Sequence, residues 1–192
     1  MCAHIQGQTV NYSKLGASLD MSDNTVRNYL DLLSGSFVIR ILQPYFSNLK
    51  KRLIKAPKVY IRDTGILHAL LGIESTETLF GHPCFGSSWE GMVIENVIAA
   101  CKMSISALYY RTAQGEEADL VLEYDGKRVI IECKTSLSPT VTHSLKTAIA
   151  DVQPVHTFIV SPVTQAYPLT SDITVCPLDG LLKEDWLSGF LA

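Results

Sequence analysis

The chain has 192 residues, 47% of them hydrophobic and 18% charged, with a formal net charge of −3. That length and apolar content provide for one ordinary domain or two small ones, and they exclude a disordered or fibrous chain. No apolar run approaches the roughly 18–20 residues of a bilayer span, and the opening MCAHIQGQTV lacks the basic-then-apolar layout of a signal peptide.

Cysteine usage points the same way. Cys2, Cys84, Cys101, Cys133 and Cys176 are odd in number, scattered and free of C-x-x-C pairs. Reduced thiols in a cytoplasmic protein with no membrane partner are therefore expected, rather than a disulfide framework or a zinc cage. The net charge hides an asymmetry. Residues 1–72 carry nine Lys and Arg against four Asp and Glu, a balance of +5, and residues 73–192 carry seven against fifteen, a balance of −8. A basic first part joined to an acidic second part predicts two units with different jobs.

In chain order, TVNYSKLGASLDMSDNTVRNYLDLL reads as two short helices. Val10, Leu15 and Leu19 recur at near-helical spacing, and Ser22 or Asp23 is placed to cap the second helix. In that helix Val26, Tyr29, Leu30 and Leu33 form an apolar face, while Asn24, Thr25, Arg27 and Asn28 point the other way. Gly35 is read as the helix stop. FVIRIL and KVYIRD follow as strands, and helix, helix, strand, strand is the order of a winged helix-turn-helix. The second helix would enter a major groove, with Arg27 and Asn28 as base readers. Between the strands, Lys50, Lys51, Arg52, Lys55 and Lys58 with no acid among them would meet DNA phosphates on a wing, or dock an acidic partner.

Further along, Asp125-Gly126 is the dipeptide of a two-residue type I′ hairpin turn. If Tyr124 then faces Lys127, Asp119 lies opposite Glu132 and Glu117 opposite Lys134. Asp119 and Glu132 would have Cβ atoms about 4.5–5.5 Å apart, and opposed like charges destabilise a sheet unless they share a proton or hold a cation. Lys134 projects from the same face. Two acids beside a lysine fit a hard divalent metal and a phosphate substrate, and solvated cross-strand pairs (Glu117–Lys134, Glu123–Arg128) are the plainer reading of the same spacing. Cys133 falls on the core face. His82, in the loop before the WEGMVIENVI helix, is a candidate cleft residue or an exposed one. PTVTHSLKTAIADV reads as a helix, and HTFIVSP and ITVCPL as buried strands, giving a βαβ continuation with Lys146 on the helix.

Asp119, followed after the hairpin by Glu132-Cys133-Lys134, resembles the signature of the PD-(D/E)xK nuclease superfamily. Over nearly its whole length the chain resembles the C-terminal region of a prokaryotic AAA-type ATPase family that carries the domain of unknown function numbered 4143. The stretches that carry this are LDLLSGSFVIRILQPYFSNLKKRLIKAPKVYIRDTGILHALLGI, SSWEGMVIENVI and YYRTAQGEEADLVLEYDGKRVIIECKTS. The resemblance implies an α/β chain with a winged helix-turn-helix over residues 1–72. A restriction-endonuclease-like mixed sheet flanked by helices would follow over residues 73–192. It also implies Asp119 and Glu132 as ligands of Mg²⁺ or Mn²⁺, Lys134 as the catalytic lysine, and an acid on the first helix to complete the site. Glu90 best matches the aromatic-Glu pattern. Glu95 is its rival, turned about 140° away on the same helix. Arg111, in YYRT, would bind phosphate or brace an acid such as Glu117.

The expected function is thus a metal-dependent nuclease acting on DNA. The alternatives are a catalytically inactive DNA- or protein-interaction module of the ATPase, or an operator-binding regulator. The chain has no G-x-x-x-x-G-K-[ST] phosphate loop, so the ATPase domain is expected as a partner rather than within it. Residue 1 falls just before the first predicted helix, as expected of a piece of a longer protein, and an oligomer is compatible with the sequence.

Overall fold

In a computed structural model of the chain, residues 1–46, 53–101, 104–183 and 189 are described. They form an α/β structure of two compact units that interleave along the chain instead of dividing at one position near residue 72. The first unit comprises Met1–Leu42 and Ala56–Met92, and the second Gln43–Lys55 and Val93–Ala192.

The first unit begins with a 3₁₀ turn at Cys2–Ile5, followed by β1 (Gln8–Thr9), α1 (Tyr12–Leu19) and α2 (Asp23–Gly35). Then come β2 (Ile39–Pro44), β3 (Lys58–Ile61), α3 (Thr64–Leu70), α4 (Thr76–Gly81) and α5 (Phe85–Ala100), the last running on into the second unit. Side-chain oxygens cap these helices: Asn11 accepts from the Lys14 amide, Ser22 from Thr25, Asp63 from Ile66 and Ser75 from Thr78. Each such cap contributes about 1 kcal/mol. β3 pairs antiparallel with both β1 and β2, and Ile39 lies opposite Ile61. The core gathers Val10, Leu15, Val26, Leu30, Ile39, Val59 and Leu67, so most of the predicted apolar positions point inward, but Leu19 at the end of α1 is 42% exposed.

Three expectations for this unit are corrected. Gly35 does not stop α2 but is its last helical residue, and the left-handed position that turns the chain falls on Phe37, at φ 60°. Tyr29, placed on the apolar face, is 53% exposed. Lys58, counted in the basic wing cluster, is buried on β3. Of that cluster, Lys50, Lys51 and Arg52 lie outside the described residues, and Lys55 is exposed.

The second unit is built on a mixed sheet. Gln43 and Pro44 at the end of β2 pair in parallel with β4 (Ser106–Arg111). β5 (Glu117–Tyr124) and β6 (Lys127–Cys133) continue it as an antiparallel hairpin, followed by α6 (His143–Val152), β7 (His156–Val160), β8 (Tyr167–Thr170), β9 (Ile173–Cys176) and α7 (Leu178–Lys183). From β4 onward the spatial order is β4-β5-β6-β7-β9-β8, with β6, β7 and β9 parallel. The hairpin turn has both Asp125 and Gly126 at positive φ, 47° and 76°, which is the type I′ geometry its dipeptide predicts. The predicted βαβ continuation is β6-α6-β7. Val121, Ile130 and Ile159 from three neighbouring strands are fully buried with Leu145 and Ala148 of α6. Burying each large aliphatic side chain contributes about 1.5–3 kcal/mol.

Candidate functional site

The hairpin holds the predicted register from Tyr124↔Lys127 to Leu120↔Ile131. There the backbone ladder ends, one residue short of the expected Asp119–Glu132 pair. On their other edges the strands stay paired, Glu132 with Ile159 of β7 and Ala118 with Tyr110 of β4. Asp119 reaches β6 through its side chain, its Oδ2 accepting the Cys133 amide at 2.7 Å. A carboxylate here does the work of a backbone carbonyl, so the acid sits in the cleft between two strand ends.

Beside it, Glu132 is 4% exposed and its Oε1 takes the Lys134 amine at 2.6 Å. The predicted Glu117–Lys134 pair therefore does not form; each partner is engaged elsewhere. Burial opposes the charge on Lys134, but the carboxylates of Glu132 and Asp119 outweigh it and raise its pKa. The predicted Glu123–Arg128 pair does form, at 2.9 Å. Cys133 is half-buried rather than fully packed into the core, and Lys146 of α6 is exposed.

Glu117 is the acid that spacing alone assigned to a surface pair. It lies two residues before Asp119 on the same strand face, and their carboxylate oxygens are within 4.8 Å of each other. Two devices fix it. Arg111, its direct partner on β4, donates from Nη1 to Glu117 Oε2 at 2.8 Å. From α6, the Ser144 hydroxyl accepts the Glu117 amide at 2.6 Å and donates to the Glu117 carbonyl at 2.9 Å. Of the two roles open to Arg111, bracing Glu117 is the one these contacts display. Ser144 had no signal in the sequence beyond its place in the first turn of α6. The i, i+2 spacing of Glu117 and Asp119 was visible.

The place of this cluster follows from topology. Glu132-Cys133-Lys134 is the carboxyl end of β6, a strand parallel to β7, and ligands of open α/β sheets gather at such ends. Glu117 and Asp119 offer carboxylate oxygens within reach of one another, and Mg²⁺ takes one or two carboxylates with waters and phosphate oxygens completing its shell.

Of the remaining predicted site residues, Glu90, Arg27 and Asn28 belong to the first unit and Lys55 to the second. Glu90, on α5, is held through Oε1 by two residues of β3, the Lys58 amine at 2.9 Å and the Tyr60 hydroxyl at 2.5 Å. Its rival Glu95 is also half-buried, within the second unit. His82 accepts the Cys84 amide on Nδ1 at 3.1 Å and so braces the turn into α5. Arg27 and Asn28 are both exposed on α2, with the Arg27 guanidinium 3.7 Å from the centre of the Tyr12 ring. On the other side of the same helix Tyr29, Leu30 and Leu33 join Leu15, Leu19 and Met21 in lining an apolar cavity of about 340 Å³.

Comparison with known proteins finds two family models. One, described as a domain of unknown function (DUF8612), matches residues 1–77; another, also a domain of unknown function (DUF4143), matches residues 85–181. Two curated relatives are the uncharacterized proteins Mb2031c of Mycobacterium bovis and Rv2008c of Mycobacterium tuberculosis. Each is 39% identical over 193 aligned residues, covering 100% of this chain and 43% of its own. The chain thus spans less than half the length of the curated relatives it matches. No solved structure matches it.

Proposed function

Since the chain belongs to the DUF4143 family, and since three carboxylates and two cations meet where its β5–β6 ladder ends, we propose that it is a metal-dependent phosphodiesterase acting on DNA. The observation that carries this reading is the hydrogen bond that the Cys133 amide donates to the Asp119 carboxylate. It draws Asp119 to the strand end that bears Glu132 and Lys134. The resemblance to PD-(D/E)xK nucleases supports the same assignment, with a nuclease-like fold for the second unit.

In this reading Asp119 and Glu132 hold Mg²⁺ or Mn²⁺, and Glu90 joins the ligand set on the strength of the resemblance alone. A bound divalent ion would lower the pKa of a coordinated water and neutralise phosphate charge. Lys134, held by Glu132, has further N–H donors for an oxygen that gains negative charge. The first part of the chain is proposed, from its order of elements, to be a winged helix that contacts DNA through Arg27, Asn28, Lys55 and the basic segment Lys50-Lys51-Arg52. An AAA-type ATPase domain is its proposed partner.

Incubation of the protein with supercoiled and linear DNA in Mg²⁺ or Mn²⁺ tests this. Wild type should cut, and Asp119→Asn and Lys134→Ala should each lose at least 10²-fold in rate. Equal cutting by wild type and Lys134→Ala would trace the activity to a contaminant and remove the proposal.

One observation favours the second reading, an inactive interaction module. The helix that would read DNA also exposes Tyr29 and Leu32, at 53% and 64%, beside the apolar cavity. Apolar surface of that kind suits a protein partner better than a phosphate backbone. Absence of cutting together with absence of divalent-ion binding would leave this reading standing.

A further inference from the structure

Arg111 is tethered at one end of the acidic cluster in a way that leaves most of its hydrogen-bonding capacity unused. A guanidinium carries five N–H donors in a planar fork. Among the described residues, the bond seen from this one is Nη1 to Glu117 Oε2 at 2.8 Å. The side chain is 37% exposed, so the rest of the fork reaches solvent.

Its base is fixed from two sides. The Arg111 carbonyl accepts the Ile54 amide at 3.0 Å, and Arg111 is the cross-strand partner of Glu117. Glu117 is in turn locked to α6 by the double bond pattern of Ser144. The guanidinium is therefore held by an acid whose backbone is itself fixed to α6. Asp119 lies two residues along the same face, and β5, which carries it, runs between β4 with Arg111 and β6 with Lys134. Cations thus stand on both flanks of the acid, each pinned by one carboxylate and each with donors to spare.

We infer that Arg111 is a phosphate-binding residue of this site, and that the ligand it recognises is a phosphate of the DNA backbone. This rests on the reading of the second unit as a DNA-acting site. A half-exposed ion pair with Glu117 would by itself contribute little, and it leaves most of the guanidinium N–H groups for a ligand. A planar fork held at one end matches the paired oxygens of a phosphodiester, and it contacts backbone without regard to sequence. Glu117 serves as the positioning residue: it occupies one N–H and sets the direction of the others.

The test is fluorescence anisotropy of the full chain with a short fluorescein-labelled duplex. It is run in EDTA to remove metal ligation from the readout, at several salt concentrations. Arg111→Gln should weaken binding roughly 3–10-fold on any sequence. It should also lower the slope of log K against log salt by about one, the signature of one lost phosphate contact. Arg111→Lys should keep the slope while binding more weakly than wild type, because the charge remains and the fork does not. Circular dichroism of the variants establishes that they fold. If Arg111→Gln leaves affinity and slope unchanged while Lys134→Gln lowers both, Arg111 only braces Glu117 and the inference is overturned. If wild type itself does not bind the duplex, the DNA reading on which the inference rests falls with it.

Discussion

A lysine amine taken out of water must find an opposite charge or give up its proton. Lys58 is 1% exposed and meets that demand with Glu90, which Tyr60 also holds. Removing one partner of so buried a pair leaves the other charge stranded. Lys58→Met should therefore destabilise the protein by about 3–5 kcal/mol. Pairing it with Glu90→Gln should restore a good part of the loss, since no charge is then left uncompensated. Urea unfolding of the two single variants and the double variant measures this as a coupling energy. Additive losses would mean that the pair is not coupled. At the same scale, Glu117 shows how a residue's role depends on neighbours that sequence does not reveal. Its charge and spacing were evident, but its partner is Arg111 on the preceding strand rather than Lys134 on the next.

Among the elements, β7 and β9 are joined by more than their parallel ladder. His156, at the start of β7, is 7% exposed, and its Nε2 shares a hydrogen bond with Thr174 Oγ1 of β9 at 2.9 Å. Burial lowers the pKa of this histidine, and the charge of Asp172 only partly opposes that effect. The folded state thus binds its proton less readily than the unfolded chain does. Stability is complete above the unfolded pKa, near 6.5, and falls as pH drops below it, by at most ~1.4 kcal/mol per pH unit. His156→Gln keeps a partner for Thr174 and cannot be charged. The melting temperature of that variant should decline less between pH 7 and pH 5 than that of wild type. Parallel declines would place the acid sensitivity elsewhere. The elements differ in how far their sequences announce them. The β5–β6 hairpin was legible because Asp125-Gly126 fixes the turn and a two-residue period fixes the faces. Where its ladder ends was not, because nothing in the alternation marks the point at which the Asp119 side chain, in place of a backbone carbonyl, takes the Cys133 amide. The cap of α2 was visible in Ser22. The burial of Lys58 was hidden, since a lysine at the head of KVYI after a basic run reads as surface until an acid from a distant helix is known to cover it.

For the molecule as a whole, the change of charge sign along the chain does not follow the division into two compact units, because the second unit takes in Gln43–Lys55 with its basic run. The basic N-terminal residues and the acidic cluster of the second unit are suited to different ligands, polyanions for the one and cations for the other. No helix among the described residues is long and apolar enough to cross a membrane. Arg111 and Lys134 already offset part of the charge of Glu117, Asp119 and Glu132, and a divalent ion bound there would add its own binding energy to the folded state. Any ligand that binds only the folded state raises its stability by RT ln(1 + [L]/Kd), about 2.7 kcal/mol at a hundred times Kd. In a chain of this size each kcal/mol moves the melting temperature by roughly 2–4 °C. Saturating Mn²⁺ should then raise the melting temperature of wild type by about 5–10 °C, and EDTA should reverse the rise. Glu132→Ala removes a ligand and also frees Lys134 to pair with Asp119, so it should abolish most of the shift. An equal shift in wild type and Glu132→Ala would mean that the ion binds away from this strand end, whatever the DNA assays showed.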